Sequence, residues 1–384
     1  MSRYLASQGH KVTVITEVPN HPSGVIPPAY RGRLSERITE EGVDVLRLWV
    51  WASPEKTFKS RMRFYLSYMG MAAVAGSLIR GKYDLVYATS PPLFVAAAGA
   101  VVSLVRRIPF VFEVRDLWPE SAVSLGELSN KRAIAAASRL ERWLYKRAAR
   151  IIVVTNGIRD RLLECGIAAE KVTLVPNGAN TETFRFGPAG RARIREMLGL
   201  NDKFVVLYAG IHGIAQGLEN LVEAARILRA RSDILFLFVG EGPKKAQLIA
   251  LKEQLALDNV LMLPEVSSAE IAAYRSAADC DIVPLLDVPE FRGALPSKMF
   301  EAWACSRPVI LSAAGEAARV LKQAEAGITV APEDAAAIAG AVEQLASDRT
   351  ETEAMGRRGR QFVETNYSRR RQAEQLEAIL TNEL

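Results

Sequence analysis

A chain of 384 residues is too long for one compact core, and two domains are expected. It is 49% hydrophobic and 24% charged with no low-complexity tract, which excludes a disordered or fibrous chain. The net charge of +6 suggests an anionic partner such as a nucleotide or a membrane surface, while zinc-finger spacing and RNA-binding aromatic signatures are lacking, so no nucleic acid is expected.

Three scattered cysteines, Cys165, Cys280 and Cys305, fit reduced thiols in a cytoplasmic protein and offer no metal framework. The uncharged runs Phe64–Ile79 and Leu93–Val105 fall short of the ~20 apolar residues of a membrane span. No signal-peptide pattern opens the sequence.

The sequence begins "MSRYLASQGHKVTVIT", which reads as a helix end, a Gly-His turn and a strand. A mononucleotide-binding half normally has a strand and a loop before that helix, so a missing first strand is expected. Strands are predicted at 11–16, 43–50, 83–89, 109–114, 150–155 and 171–176, with helices at 61–80, 92–106 and 131–149. Strands alternating with helices imply a parallel, doubly wound sheet.

"TFRFGPAGR", Thr183 to Arg191, reads as a linker. The rhythm then restarts with strands at 203–210, 234–240, 259–264, 280–285, 307–312 and 327–331. The expected architecture is α/β: two Rossmann-like doubly wound parallel-sheet domains, 1–184 and 185–365, facing a cleft. A polar helix over 366–384 is expected to pack back on the first half.

Chemistry concentrates where strands end. In "GALPSKMFEAWACSRPVI" Ser297 is the expected N-cap of a helix, and Lys298 and Glu301 share one face. A helix start with a lysine suits a phosphate, and a glutamate one turn in suits the two hydroxyls of a ribose. The pair also suits a helix start with no ligand. "LYAGIHGIAQGLE" places Gly210, His212, Gly213 and Gln216 between a strand and a helix, and "FVGEGP" repeats the device with Gly240 and Glu241. Such glycines admit backbone N–H groups to an anion or simply permit tight packing.

In the first half, Ser90 in "YATSPPLF", Arg115 and Asp116 in "FEVRDLWPES", and His21 in "PNHPSG" stand at strand ends. Arg115 and Asp116 are site residues or a local ion pair, and His21 is a site residue or an ordinary surface histidine. The acidic pair Asp279 and Asp281 joins a helix end to a strand without a third acidic ligand, so no metal is expected there. The stretch 55–82 mixes basic and aromatic residues ahead of an apolar helix, and would lie on a membrane interface or pack on its own sheet.

Taken together, "VPNG", "GLENLVEAARIL", "FVGEGP", "SAADCDIVPL" and "PSKMFEAWACSRPVI" resemble glycosyltransferase family 4, retaining enzymes of the GT-B fold. "PNHP", "TSPP", "FEVRDLWPES", "YAGIHGIAQGLE" and "LPSKMFE" resemble the bacterial subgroup of fucosaminyl and colanic-acid transferases. The resemblance implies transfer of a hexose-type sugar from a nucleoside-diphosphate sugar, bound by the second domain, to a glycan or lipid-linked glycan acceptor, bound by the first. It implies peripheral contact with the inner leaflet and no metal or other cofactor. Glu301 would hold the ribose, Lys298 and Ser297 the diphosphate, the loop Gly210–Gln216 the phosphates, and Pro264 to Val266 the base.

Two positions depart from the pattern. The family's sugar-contacting glutamate falls at Gly293, with Glu290 or Arg292 as stand-ins, and the usual basic pair after the second domain's first strand is replaced by His212 and Gln216. The same architecture also hosts nucleotide-sugar epimerases and sugar-phosphate synthases, and an inactive nucleotide-sugar-binding module is the alternative outside catalysis.

Overall fold

The computed structural model describes residues 1–382 apart from Pro22, Lys56, Leu125, Glu127, Asn201 and Ser268, and apart from the side chain of Glu290. The chain forms two compact units, Met1–Pro176 with Gln372–Leu384, and Asn177–Arg371.

The first unit runs α1 (Ser2–Ser7), β1 (Thr13–Glu17), β2 (Ser35–Glu40), β3 (Val43–Leu48), α2 (Phe58–Leu78), β4 (Val86–Ser90), α3 (Leu93–Arg106) and β5 (Phe110–Val114). It continues with α4 (Glu120–Ser124), α5 (Lys131–Arg147), β6 (Arg150–Val153), α6 (Asn156–Glu164) and β7 (Val172–Leu174). β4-β5-β6-β7 form one parallel sheet, and β1-β3-β2 a second. Among the described residues β1 pairs only with β3 and β4 only with β5, while the hydroxyls of Thr13 and Tyr83 meet at 3.0 Å near the starts of β1 and β4.

β2 was not predicted. It runs antiparallel to β3 through a two-residue turn in which Glu41 and Gly42 both have positive φ, at 48° and 79°. Its sequence, SERITE, has only Glu36 and Ile38 half-buried, so no apolar run betrays it. The α2 start expected near 61 lies at Phe58, where Thr57 accepts from the Ser60 N–H at 3.2 Å.

The second unit runs α7 (Pro188–Met197), β8 (Phe204–Ala209), α8 (Glu219–Ile227), β9 (Ile234–Val239), α9 (Lys245–Gln254), β10 (Val260–Leu263), α10 (Ile271–Ala277) and β11 (Cys280–Pro284). After these come α11 (Ser297–Ala304), β12 (Val309–Ser312), α12 (Glu316–Ala324), β13 (Gly327–Val330), α13 (Ala335–Ser347), α14 (Arg349–Asn366) and α15 (Arg369–Asn382), the last continuing into the first unit. Pro188, read as part of a linker, instead opens α7 at a position where a missing N–H costs nothing.

The six strands are all parallel in the order β10-β9-β8-β11-β12-β13. β8 (FVVLYA) and β9 (ILFLFV) are buried along their whole length, as strands covered on both faces must be. Alternation splits them: Phe204, Val206, Tyr208, Phe236 and Phe238 join one core with Leu221 and Val342, whereas Val205, Leu207, Leu235 and Leu237 join another with Ile194 and Tyr274. The strand order reverses between β8 and β11, the place where sheets of this kind bind ligands beyond their carboxyl ends.

Candidate functional site

Three loops leave the carboxyl ends of β8, β9 and β10, and they are stitched together. The His212 N–H donates to the Glu241 carbonyl at 2.8 Å, and the Lys244 N–H donates to the His212 carbonyl at 3.0 Å. Gly240 (φ +153°) and Gly242 (φ +156°) are required here. A Cβ on Gly240 would sit 2.0 Å from the Gly210 carbonyl oxygen, and one on Gly242 would sit 2.4 Å from that of His212.

Against these loops lies the start of α11. Its N-cap is Pro296, with no side chain capping it, so Ser297 is the first helical residue and not the expected cap. The opening N–H groups of the helix are therefore left without a side-chain acceptor.

Lys298 extends from this first turn to the β8 loop. Its Nζ donates to Tyr208 Oη at 3.0 Å and lies 4.7 Å from the ring centre, while Tyr208 Oη donates to the Ile211 carbonyl at 2.6 Å. A Cβ on Gly210 would stand 2.3 Å from Lys298 Cε, so the absent side chain is what admits the lysine. Burial, then the nearby Arg275 charge, lowers the Lys298 pKa to about 8, with Glu301 partly opposing them.

Glu301, one turn on, accepts from Arg275 Nη2 at 2.8 Å. Arg275 is 1% exposed and its Nη1 also pairs with buried Asp281. The other carboxylate of the acidic pair, Asp279, accepts from Arg191 at 2.8 Å and from the Val205 N–H at 2.8 Å. Both aspartates thus serve arginines, and Arg275 fixes the direction of Glu301.

His212 is buried, its ring 5.7 Å from Tyr208 and 6.2 Å from Phe238. Burial and the charges of Lys245 and Lys298 hold its pKa down at about 4 against the pull of Glu241, so the imidazole is neutral near pH 7. Neither ring nitrogen has a hydrogen-bond partner. Buried polar atoms left unmet are costly, and a ligand that supplies the partner relieves that cost.

Gly213 and Gln216 complete the loop, with Gln216 Oε1 2.7 Å from where a Gly213 Cβ would stand. Glu241 is exposed and accepts from Lys245 Nζ at 2.5 Å. Pro264 and Val266 follow β10, the first exposed and the second half-buried. Gly293 ends a short turn over Pro289–Gly293, in which exposed Arg292 donates to Asp287 at 3.3 Å. The side chain of Glu290 lies outside the described set.

Three side chains packed at the candidate site were not singled out from the sequence. Tyr208 looked like one more buried strand residue. Lys245 donates to the carbonyls of Gly240 (2.9 Å) and Leu263 (3.0 Å), so Lys298 is not the only cation at these loops. Arg275 was legible in principle, as a lone charge in the helix "IAAYRSA".

The first unit brings its own strand ends together. The Arg115 N–H donates to the Ser90 carbonyl at 3.1 Å, and Asp116 accepts from Ser121 Oγ at 2.9 Å. Ser90 is buried with its hydroxyl unpartnered, while Arg115 is exposed. His21 is exposed and lines a cavity of about 180 Å³ together with Asn20, Gly24, Arg61, Phe64 and Tyr65.

A parallel six-stranded sheet with an uncapped helix start, a lysine and a tethered glutamate at its switch point defines the second unit, and the first carries its own parallel sheet. Residues 1–178 match the family described as glycosyl transferase 4-like domain, and residues 190–362 match glycosyl transferases group 1. The chain belongs to the glycosyltransferases of the GT-B fold.

Among named relatives, Escherichia coli (strain K12) WcaI, named for colanic acid biosynthesis, is 29% identical over 329 residues, covering 82% of this chain and 78% of the relative. A Mycobacterium tuberculosis GDP-mannose-dependent phosphatidylinositol monomannoside mannosyltransferase is 26% identical, over 72% of this chain and 78% of the relative. Anabaena HepE in complex with UDP-glucose superimposes with a TM-score of 0.73 at 16% identity, covering 97% of this chain and all of that one.

Proposed function

We propose that this glycosyltransferase moves a sugar from a nucleoside-diphosphate sugar onto a glycan acceptor, lipid-linked and presented at the inner face of the cytoplasmic membrane. The pathway we infer is assembly of a bacterial cell-surface polysaccharide, a reading supported by the name of the E. coli relative. The HepE complex with UDP-glucose supports a nucleotide sugar as donor. One observation carries the reading: Lys298, fitted against Gly210 and bonded to Tyr208, stands at the uncapped start of α11, with Glu301 held one turn away.

In this reading the diphosphate rests on the start of α11 and on the loops of Gly210 and Gly240, where N–H groups and Lys298 meet its charge. Glu301 accepts from the ribose hydroxyls. Pro264 and Val266 flank the base, and Ser297, His212, Gly213, Gln216 and Glu241 border the phosphates. Arg115 and Asp116 join Lys298 as the catalytic residues and orient the acceptor or the donor sugar, while Ser90 and His21 border the acceptor on the first unit.

Transfer proceeds with retention. The bond from the sugar's C1 to the diphosphate oxygen breaks, the acceptor oxygen bonds to C1 on the same face, and the departing oxygen takes the acceptor's proton. Catalysis is positioning and charge stabilisation. The charge of the leaving group is met by Lys298 and helix N–H groups, so the scheme requires no metal ion.

The test is a binding screen against UDP, GDP and their sugars, followed by a transfer assay on the donor found, with and without chelator. Lys298→Ala should lower turnover by about 10²–10³ with the fold intact. Near-normal turnover of this variant, or failure to bind any nucleoside diphosphate, would sink the reading.

A further inference from the structure

The strands of the second unit are parallel, so their amino ends share the edge opposite the loops of Gly210 and Gly240. Arginines that the transfer reading leaves unused gather at that edge. Between Glu182 and Glu196 the sequence holds Arg185, Arg191, Arg193 and Arg195 and no acid. Arg191 and Arg195, on α7, close the end of α10. Arg191 Nη1 donates to the Ala278 carbonyl at 2.9 Å and Arg195 Nη1 to the Ala277 carbonyl at 2.7 Å. Both also reach Asp279, just ahead of β11, at 2.8 and 3.4 Å.

Arg307, just ahead of β12, is not used in this way. It is 8% exposed, its guanidinium lies 4.5 Å from the ring centre of Phe186, and its Nε has no hydrogen-bond partner. The two acids whose charge reaches it are engaged elsewhere: Asp279 by α7, and Glu353 by Arg357 at 3.8 Å. Burial, then the charge of Arg191, lowers its pKa to about 10, which leaves it charged at neutral pH. An aliphatic side chain would cover Phe186 without burying a cation short of a counter-charge.

Phe186 and Arg191 bracket the start of α7, which places Arg307 beside its first turn. No side chain caps this helix. Pro188 has no N–H, and the helix's own bonds begin with the Arg191 N–H, 2.9 Å from the Gly187 carbonyl, so the N–H groups of Ala189 and Gly190 are left over. Ala189 is exposed and Phe186 is 38% exposed, so the turn is open to solvent. Free N–H groups at a helix start, beside an uncompensated guanidinium, are the donor set that a phosphate takes. We propose that Arg307 and the first turn of α7 form a binding site for a phosphate group, carried free or as a phosphate monoester. Lys298 begins α11 and Arg307 follows its end, so this site and the donor site lie at opposite ends of one helix. The proposal stands without the transfer chemistry.

Calorimetric titration of the full chain with inorganic phosphate and with glucose 6-phosphate tests it, with potassium chloride holding the ionic strength constant. Saturable binding is expected, and Arg307→Met should weaken it about 10–100-fold, the worth of a hydrogen bond to a charged group. Lys298→Ala should leave it unchanged, and UDP should not displace it. Tighter binding of glucose 6-phosphate assigns the site to a monoester, and equal or weaker binding assigns it to free phosphate.

Urea unfolding gives a second readout. Without phosphate Arg307→Met should be at least as stable as the unaltered protein, because an unpaired buried charge is gone. Added phosphate should raise the midpoint of the unaltered protein and not that of the variant. Four results overturn the proposal: no saturable binding, binding that Arg307→Met leaves unchanged, binding that Lys298→Ala or UDP abolishes, or a loss of stability in Arg307→Met without phosphate. The last would mean that the guanidinium is already paired within the fold.

Discussion

Lys298 shows how much one side chain can report. Its ordinary pKa is 10.5, and in the fold it falls to about 8, with burial as the main cause. Between those values the unfolded chain holds a proton that the folded chain lacks, so this residue's contribution to stability grows as pH rises through that window. A diphosphate beside the ammonium reverses the balance by favouring the charged form. Binding of UDP or GDP should therefore take up about half a proton at pH 8 and close to one at pH 9. His212 stays silent in that window, because its pKa is already down at about 4. Calorimetry in buffers of different ionisation heat measures the uptake, and Lys298→Arg should abolish it. Binding heats that ignore the buffer would contradict the placement of the ligand. His212 gives a second handle. With both nitrogens unmet, His212→Phe should raise the unfolding free energy by about 1 kcal/mol and weaken nucleotide binding. A fall in stability would mean that the imidazole has a structural partner.

At the scale of elements, what the sequence made legible was whatever a run of apolar residues announces. The strands of the second unit were found within a residue or two because parallel strands covered on both faces read as unbroken Val, Leu, Ile and Phe. β2 was hidden because an exposed edge strand needs only a hairpin partner and a turn. Ser297 looked like a cap because its type caps helices, but Pro296 occupies that place and the first turn stays open. Gly210 and Lys298 were both legible as site residues; that one exists to admit the other was not, since a contact across 88 positions leaves no trace in local spacing. Arg275 was legible as a lone charge in an apolar helix, but its reach to Glu301, 26 positions on, was not. It holds Asp281 and Glu301 at once from a position 1% exposed. Arg275→Ala leaves a buried carboxylate without its partner and should cost about 3–5 kcal/mol, read from urea unfolding. Nucleotide affinity should fall as well, because Glu301 is no longer aimed. A stable variant with unchanged affinity would show that the ion triad does neither job.

On the scale of the whole molecule, the two units are not two successive lengths of chain. The chain leaves the first unit after Pro176 and returns to it at Gln372, so the closing helix belongs to the core of a unit built some two hundred residues earlier. Leu376 is 2% exposed and packs with Val111, Ile152 and Val175 beneath β5 and β6. Gln375 donates to the Leu174 carbonyl at 2.9 Å, and Glu377 meets His10 at 2.8 Å. The apolar spacing of "AEQLEAIL" marks a helix with one buried face, but which sheet it covers depends on the path of everything before it. Leu376→Ala should therefore cost about 2–5 kcal/mol, and the cost should fall on the first unit. Hydrogen exchange locates it: amides of β5 and β6 should lose protection, while those of β8 and β9 keep theirs and UDP or GDP binding persists. Protection lost from the second unit instead would mean that the helix completes a different core from the one to which its contacts assign it.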